Sequence, residues 1–361
     1  MVNRLVFENL KHRPVRTLLS AVMIGVQVTM ILTLVGLSSG VLGDIAQRSR
    51  GTGADIIIAP PGSSVLAFSG NMPEKVVERV RQVPHVALAT GVFHQGVGNF
   101  EAIDGINLQE FNQMSGGFQY DAGGPFTKGG ELIVDQYYAQ QKHLKVGDNV
   151  NLGIPWRVVG IVEPGKLSRM FADLRYMQEK YSAEGKVTTI YVKADNPASG
   201  DELKDALEKL LPTYNIHTIE ELTTLISADS IPILKTFTKV VIGLGVLVGF
   251  LVVFLSMYTA VLERTREIGI LKALGASPGY ILGMLLRETT ILAIVGAITG
   301  IAMSFGAQWL MRIFVPTMPV DIVRDWWPKA AGLALGAALI GAIYPGLKAA
   351  RQDAIEALSY D

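Results

Sequence analysis

Residues 18–43 read LLSAVMIGVQVTMILTLVGLSSGVLG, 26 consecutive positions without Asp, Glu, Lys, Arg or His. About 20 apolar residues, at a helical rise of about 1.5 Å each, cross a hydrocarbon core of about 30 Å, so this stretch is long enough to span a bilayer. It also exceeds the roughly 7–15-residue apolar core of a cleaved signal peptide, which marks it as a retained anchor. Three more charge-free windows follow at 240–262, 289–311 and 330–347. The 32 Lys+Arg and 32 Asp+Glu therefore all lie outside the four windows, at the density of an ordinary soluble domain. The chain is composed for two solvents. A purely cytosolic enzyme is excluded, and zero net charge offers no general attraction for nucleic-acid phosphates.

The windows divide the 361 residues into an N-terminal segment 1–17, a first span 18–43, a large domain 44–239, and spans 240–262, 289–311 and 330–347. Segments 263–288 and 312–329 join the last three spans, and a tail runs over 348–361. Arg4, Lys11, Arg13 and Arg16 precede the first span, whereas Arg48 and Arg50 alone follow it closely, so the positive-inside rule places both termini and 263–288 in the cytoplasm. The large domain is then outside, and Trp326 and Trp327 fall at the outer interface.

Within 44–239 the run ADIIIA at 54–59, stopped by Pro60-Pro61-Gly62, reads as a buried strand. A helix starting at Pro73 with Val76, Val77, Val80 and Val83 on one face follows. A similar unit returns as a strand at 187–193, a helix carrying Leu203, Ala206, Leu207, Leu210 and Leu211, and a strand at 215–219. The two strand–helix–strand halves occupy about 54–100 and 187–220, with a β-rich insert at about 125–165. The expected class is thus an α-helical membrane protein with four spans arranged 1+3 and a large α+β extracytoplasmic domain.

The segment 263–277, ERTREIGILKALGAS, carries most of the functional signal. Ile268, Leu271 and Leu274 recur every three residues among charges, which predicts a short amphipathic helix with Gly275 as its stop. Ser277-Pro278 has the chemistry of an N-cap followed by a first-turn proline, so a second helix begins there and enters the third span. The physics alone fits either a cytoplasmic docking elbow or a plain connector with solvated charges.

This segment is similar to the cytoplasmic signature of the MacB/FtsX-type permeases of type VII ABC transporters, usually near ERTREIGIRKALGAS, with Leu271 in place of a basic residue. The stretches ENLKHRPVRTLLSAVMIGVQV at 8–28 and YPGLKAARQDAIEAL at 344–358 resemble the family's opening and closing motifs, with Ala354 where a proline is usual. The resemblance implies a split βαβ core with an inserted β lobe, like residues 130–164, and an elbow that docks on a separate cytoplasmic ABC ATPase. The coupling set it implies is Glu263, Arg264, Arg266, Glu267, Ile268, Gly269, Leu271, Lys272, Leu274 and Gly275. ATP and Mg would be bound by that partner, with no cofactor, metal or catalytic site in this chain. It further implies a second permease copy, identical or not, and a cell inner membrane location. A periplasmic adaptor or membrane fusion protein is a further candidate partner. The implied work is mechanotransmission for efflux or extraction of a hydrophobic or envelope-associated cargo. The alternatives are a non-transporting regulator of a cell-wall hydrolase and a stand-alone receptor.

Other patterns are weaker. Each span holds a G-x-x-x-G pair, Gly36/Gly40, Gly245/Gly249, Gly296/Gly300 and Gly332/Gly336, and one or two of these are expected to pack helices, between permease copies. Gly36-Leu37-Ser38-Ser39-Gly40 matches a hydrolase elbow by chance, inside a span. Gly160 to Lys166 resembles a P-loop but continues with Leu167 where Ser or Thr should hold magnesium. His12, His85, His94, His143 and His217 form no metal-ligand spacing, and the absence of cysteine removes thiolate chemistry. No window holds an ionisable group of the kind a proton relay needs.

Overall fold

The computed structural model describes residues 14–63, 70–98, 101–196, 199–225 and 232–352. His12, the start of the opening motif and the end of the closing motif with Ala354 lie outside the described residues. The chain divides into two units, one of Met1–Ser39, Pro232–Ile313 and Val320–Asp361, the other of Gly40–Ile231 and Phe314–Pro319. Helix α1 (Pro14–Arg50) contributes residues to both.

The second unit is built on a ten-stranded sheet of order β12-β1-β11-β3-β4-β9-β6-β8-β5, with β7 also on β8. Its first elements are β1 (Ile56–Ala59), the short β2 (Met72–Pro73), α2 (Lys75–Arg81) and the long β3 (Val86–Gly98). Then come β4 (Glu101–Ile106), α3 (Leu108–Ser115), β5 (Tyr120–Gly123), β6 (Glu131–Asp135) and α4 (Gln136–Lys142). Next are β7 (Asn149–Asn151), β8 (Pro155–Val162), β9 (Met170–Asp173) and α5 (Leu174–Lys180). The last are β10 (Lys186–Val187), β11 (Thr189–Ala194), α6 (Gly200–Leu210), β12 (Asn215–Thr218) and α7 (Ile219–Leu225).

Pairing directions decide the topology. β1 runs antiparallel to both β11 and β12, and β11 antiparallel to both β1 and β3. Hence β1-α2-β3 and β11-α6-β12 are parallel βαβ units, each split by a strand of the other, the arrangement of a ferredoxin-like fold. The strands of the β-rich insert continue the same sheet. Residues 86–92 of β3 pair with β11 and residues 93–98 with β4, so one strand carries the ladder onward into the insert. β6 and β8 are parallel, which demands a crossover, and α4 supplies it. That helix went unread in the polar run QYYAQQK, although Asp135 caps it by accepting from Tyr138 N at 2.7 Å.

Pro73 does not start a helix. It pairs with Lys186, and Glu74 N donates to Gly185 O at 2.8 Å, so the neighbouring strand holds 72–73 extended and α2 begins at Lys75. Val76, Val77 and Val80 are buried against the sheet, with Val83 at the rim. The core also takes Ile56, Ile58, Ile190, Val192, Leu132 and Val134.

The other unit holds α8 (Pro232–Glu263), α9 (Thr265–Ala273), α10 (Pro278–Phe314), a 3-10 turn (Arg324–Trp326) and α11 (Trp327–Arg351). Four helices are long and apolar enough to cross a membrane by length and composition, at Thr17–Arg50, Lys235–Glu263, Pro278–Phe314 and Arg324–Arg351. The 37 residues of α10 measure about 55 Å, well beyond the hydrocarbon thickness. α1 lies between neighbours. A Cβ on Gly300 would come within 2.5 Å of Gly25 O, and one on Gly296 within 2.7 Å of Ile24 Cβ, so α1 and α10 are in backbone contact. Thr29 Oγ1 donates to Gly300 O at 2.9 Å across that contact. Towards α8, Ser20 and Ser256 share a 2.6 Å hydrogen bond and Gln27 fills the space beside Gly249.

Candidate functional site

The elbow between α8 and α10 is where the sequence concentrates charge beside a membrane span. α8 ends at Glu263, and the chain bends at Arg264 before α9 begins. Arg264 points inward. Its Nη1 lies 3.1 Å from Glu288 Oε2, with side-chain exposures of 7% and 3%, so a charge pair fixes the bend to α10. Thr265 Oγ1 donates to Val261 O at 3.1 Å and holds the same turn. At the far end, Gly275 adopts φ +91°, a left-handed conformation that glycine takes without strain. Ser277 Oγ then accepts from Tyr280 N at 3.2 Å, capping α10 at Pro278.

The apolar face differs from the expected one. Ile268 is buried, Leu271 is half-buried and Leu274 is 80% exposed. A step of three residues turns a helix by about 300°, so positions 268, 271 and 274 fan across about 120° and do not form one stripe. Thr265, Ile268 and Gly269 face the bundle. Glu263, Arg266, Glu267, Ile270, Leu274 and Gly275 are exposed, and Ile270, absent from the sequence-derived set, is 46% exposed. Lys272 turns to the end of α11, donating to Ala350 O at 3.0 Å and to Gln352 O, where a cation satisfies free helix-terminal carbonyls. The residues of the expected coupling set thus separate into Arg264, Ile268, Gly269 and Lys272, which root the elbow, the half-buried Leu271, and Glu263, Arg266, Glu267, Leu274 and Gly275, which are exposed. Between the rooted and the exposed residues lies a largely apolar hollow of about 260 Å³ lined by Ala260, Glu267, Ile270, Leu271 and Met284.

The glycine pairs also separate. Gly296 and Gly300 pack on α1 of the same chain, with Gly25 completing the contact. A Cβ on Gly245 would meet the flexible end of Met30 and, at ordinary contact distance, Ile31, and Gly249 makes room for Gln27. Gly36 admits the turn at Asp321, whose N donates to Gly36 O at 2.9 Å, and Gly40 is buried. Gly332 and Gly336 have nothing within 4 Å of a Cβ position. α11 packs instead through Ala330, Ala334, Ala338 and Ala342, and a Cβ on Gly341 would come within 2.8 Å of Phe250 O. A search for glycine alone misses this row of alanines spaced by four.

In the sheet unit, Lys166 of the P-loop-like string donates to Ser115 O at 2.7 Å and to Gly117 O, so its amine anchors a turn, and burial lowers its pKa. His94 is 2.6 Å from Asp104 across β3 and β4, and His85 is 3.3 Å from Asp195. Among the described residues no group of three or more His, Cys, Asp or Glu is placed to hold a metal ion.

Comparison with known proteins covers both units. Residues 17–210 match the family model of the MacB-like periplasmic core domain, and residues 239–354 that of the FtsX-like permease C-terminal region. An uncharacterized ABC transporter permease of Bacillus subtilis, YknZ, is 28% identical over 293 residues, 72% of this chain and 70% of its own length. An uncharacterized ABC transporter permease of Methanocaldococcus jannaschii is 25% identical over 98% of this chain and 96% of its own length. The macrolide export ATP-binding/permease protein MacB of Escherichia coli is 22% identical over 97% of this chain, which spans 59% of that longer protein.

Proposed function

The chain belongs to the ABC transporter permeases of MacB/FtsX type, multi-pass membrane proteins, and from that premise we propose that it converts ATP hydrolysis by a separate cytoplasmic ATPase into motion of its sheet domain outside the membrane. In this reading both termini and the elbow are cytoplasmic. The observation that carries it is the two-sided elbow: Arg264 and Ile268 root it in the bundle, while Arg266, Glu267, Ile270 and Leu274 stand clear of it. A lever needs both a fixed root and a free contact surface. ATP and Mg belong to the partner, and two permease copies, each with its ATPase, complete the machine. The work is export or extraction of a hydrophobic or envelope-associated cargo, with a periplasmic adaptor as a further partner.

The test is docking. Glu267→Ala with Leu274→Asp is expected to lose co-purification of the ATPase while insertion and folding persist; full recovery of the ATPase with this variant refutes the assignment.

One observation favours a second reading, in which the motion activates an outer cell-wall hydrolase and nothing crosses the membrane. Among the described residues of 54–225, Tyr137 and Val146 are the exposed large hydrophobics, so this surface suits a polar protein partner better than a greasy cargo. Transport of a labelled hydrophobic substrate by reconstituted permease and ATPase, without any hydrolase, decides between the two.

A further inference from the structure

One guanidinium joins distant parts of the sheet unit. Arg169, just before β9, places Nη2 2.8 Å from Asp44 Oδ2 on α1 and Nη1 2.8 Å from Asp135 Oδ2 at the end of β6. Nη2 also donates to Thr317 O at 2.9 Å, in the segment Phe314–Pro319 that leaves α10. The contact is sheltered, with side-chain exposures of 12% for Arg169, 16% for Asp44 and 1% for Asp135. Each partner is itself anchored. Asp44 Oδ2 accepts from Arg48 Nε at 3.0 Å, Asp135 caps α4, and Thr317 Oγ1 donates to Gln141 on α4.

The loop before Arg169 is fitted to the end of α1. Leu167 N donates to Arg48 O at 2.9 Å, and Arg48 Nη1 returns a bond to Leu167 O at 3.3 Å. Leu167 holds φ +39°, a conformation unfavourable for a side chain of its kind, and a Cβ on Gly51 would collide with Gly165 O. Arg48 and Arg169 carry the charges that face Asp44 and Asp135.

We propose that Arg169 is a positioning residue that binds the end of α1, the β6–α4 corner and the segment after α10 into one rigid node, through which displacement of α1 and α10 reaches the sheet. This rests on the mechanical function proposed above. A planar guanidinium with fixed donors can hold two carboxylates and a carbonyl at once, whereas a lysine ammonium offers a point charge on a flexible stem.

The chain has no cysteine, so cysteines introduced at exposed Gln47 on α1 and Gln140 on α4 can be spin-labelled without background. The experiment uses full-length permease with its ATPase in nanodiscs, with a label at exposed Asp121 reporting movement of the sheet domain. Expected for the parent protein is a narrow 47–140 distance distribution, the same with and without ATP, together with an ATP-dependent change at 121. In Arg169→Met the 47–140 distribution broadens and the change at 121 is lost, while ATPase binding and hydrolysis stay within about twofold and unfolding remains cooperative. Arg169→Lys does not restore the response, which separates bidentate positioning from a simple need for positive charge. Should Arg169→Met fail to fold, Asp44→Asn removes one arm of the node and is expected to give the same uncoupling. A variant with a narrow distribution and an intact response at 121 overturns the role of Arg169. A parent protein that binds no ATPase, or shows no response to ATP, overturns the mechanical function itself and this role with it.

Discussion

Arg264 and Glu288 form an ion pair 3.1 Å long that is almost wholly withdrawn from solvent, joining the bend after α8 to the flank of α10. Breaking such a buried pair by removing one member typically costs about 3–5 kcal/mol, whereas replacing both by apolar groups of similar volume is often neutral. Arg264→Ala or Glu288→Ala is therefore expected to lower the melting temperature of the purified permease markedly. The double variant Arg264→Met with Glu288→Leu should recover most of the loss. Single variants that melt like the parent would show that the pair does not hold the bend.

The glycines make a graded set. A side chain at Gly300 meets the carbonyl of Gly25 at 2.5 Å, backbone that cannot step aside, so Gly300→Val should destabilise the helix unit by about 1–3 kcal/mol or more. Gly336→Ala, with open space around it, should be neutral or slightly stabilising through helix propensity. Thermal unfolding in one detergent ranks the two; equal melting temperatures would refute the packing of α10 on α1.

His94 is expected to make the sheet domain sensitive to pH. Burial opposes protonation of the imidazole, but the Asp104 charge and hydrogen bond outweigh it and raise the pKa above the ordinary 6.5. A group whose folded pKa is raised contributes stability that is complete below its unfolded pKa and is lost as pH rises through the folded value. The domain should thus melt higher at about pH 6 than at about pH 8, and Asp104→Asn should flatten this dependence. An NMR titration placing the His94 pKa below 6.5 contradicts the account.

Topology has a direct assay. Reporter enzymes fused near residue 120 should be active outside the membrane, and those near residue 276 inside it. The reverse pattern overturns the orientation and removes the elbow from reach of any cytoplasmic ATPase.

Much of the architecture could be read in advance because the signals are local. Charge-free windows lie within α1, α8, α10 and α11, and Ser277-Pro278 opens α10 where capping chemistry demanded. The α+β class of the large domain was legible in strands such as 56–59 and 189–194 and in the buried leucines of α6. Legibility stopped where an outcome depends on a partner far along the chain. Pro73 has the chemistry of a helix start and becomes a strand because residue 186 pairs with it. Leu274 lies about 120° round the helix from Ile268, so it faces outward once Ile268 is the residue packed on the bundle. Nothing local distinguishes Gly300, pressed on α1, from Gly336, where a Cβ would meet open space.

By itself, then, the sequence determined the solvent of each segment, the number and type of the principal elements, and the caps that begin and end them. Hydrophobicity, helical rise and capping act over a few residues and leave their mark wherever those residues stand. The tertiary structure alone decided the interleaved order of the strands, the helix faces that meet, the inward turn of Arg264 and Lys272, and the meeting of Asp44, Asp135 and Thr317 on Arg169. These are relations between positions far apart in the chain, 148 residues for Arg169 and Thr317 and 271 for Thr29 and Gly300, and only the joint burial of many side chains selects them.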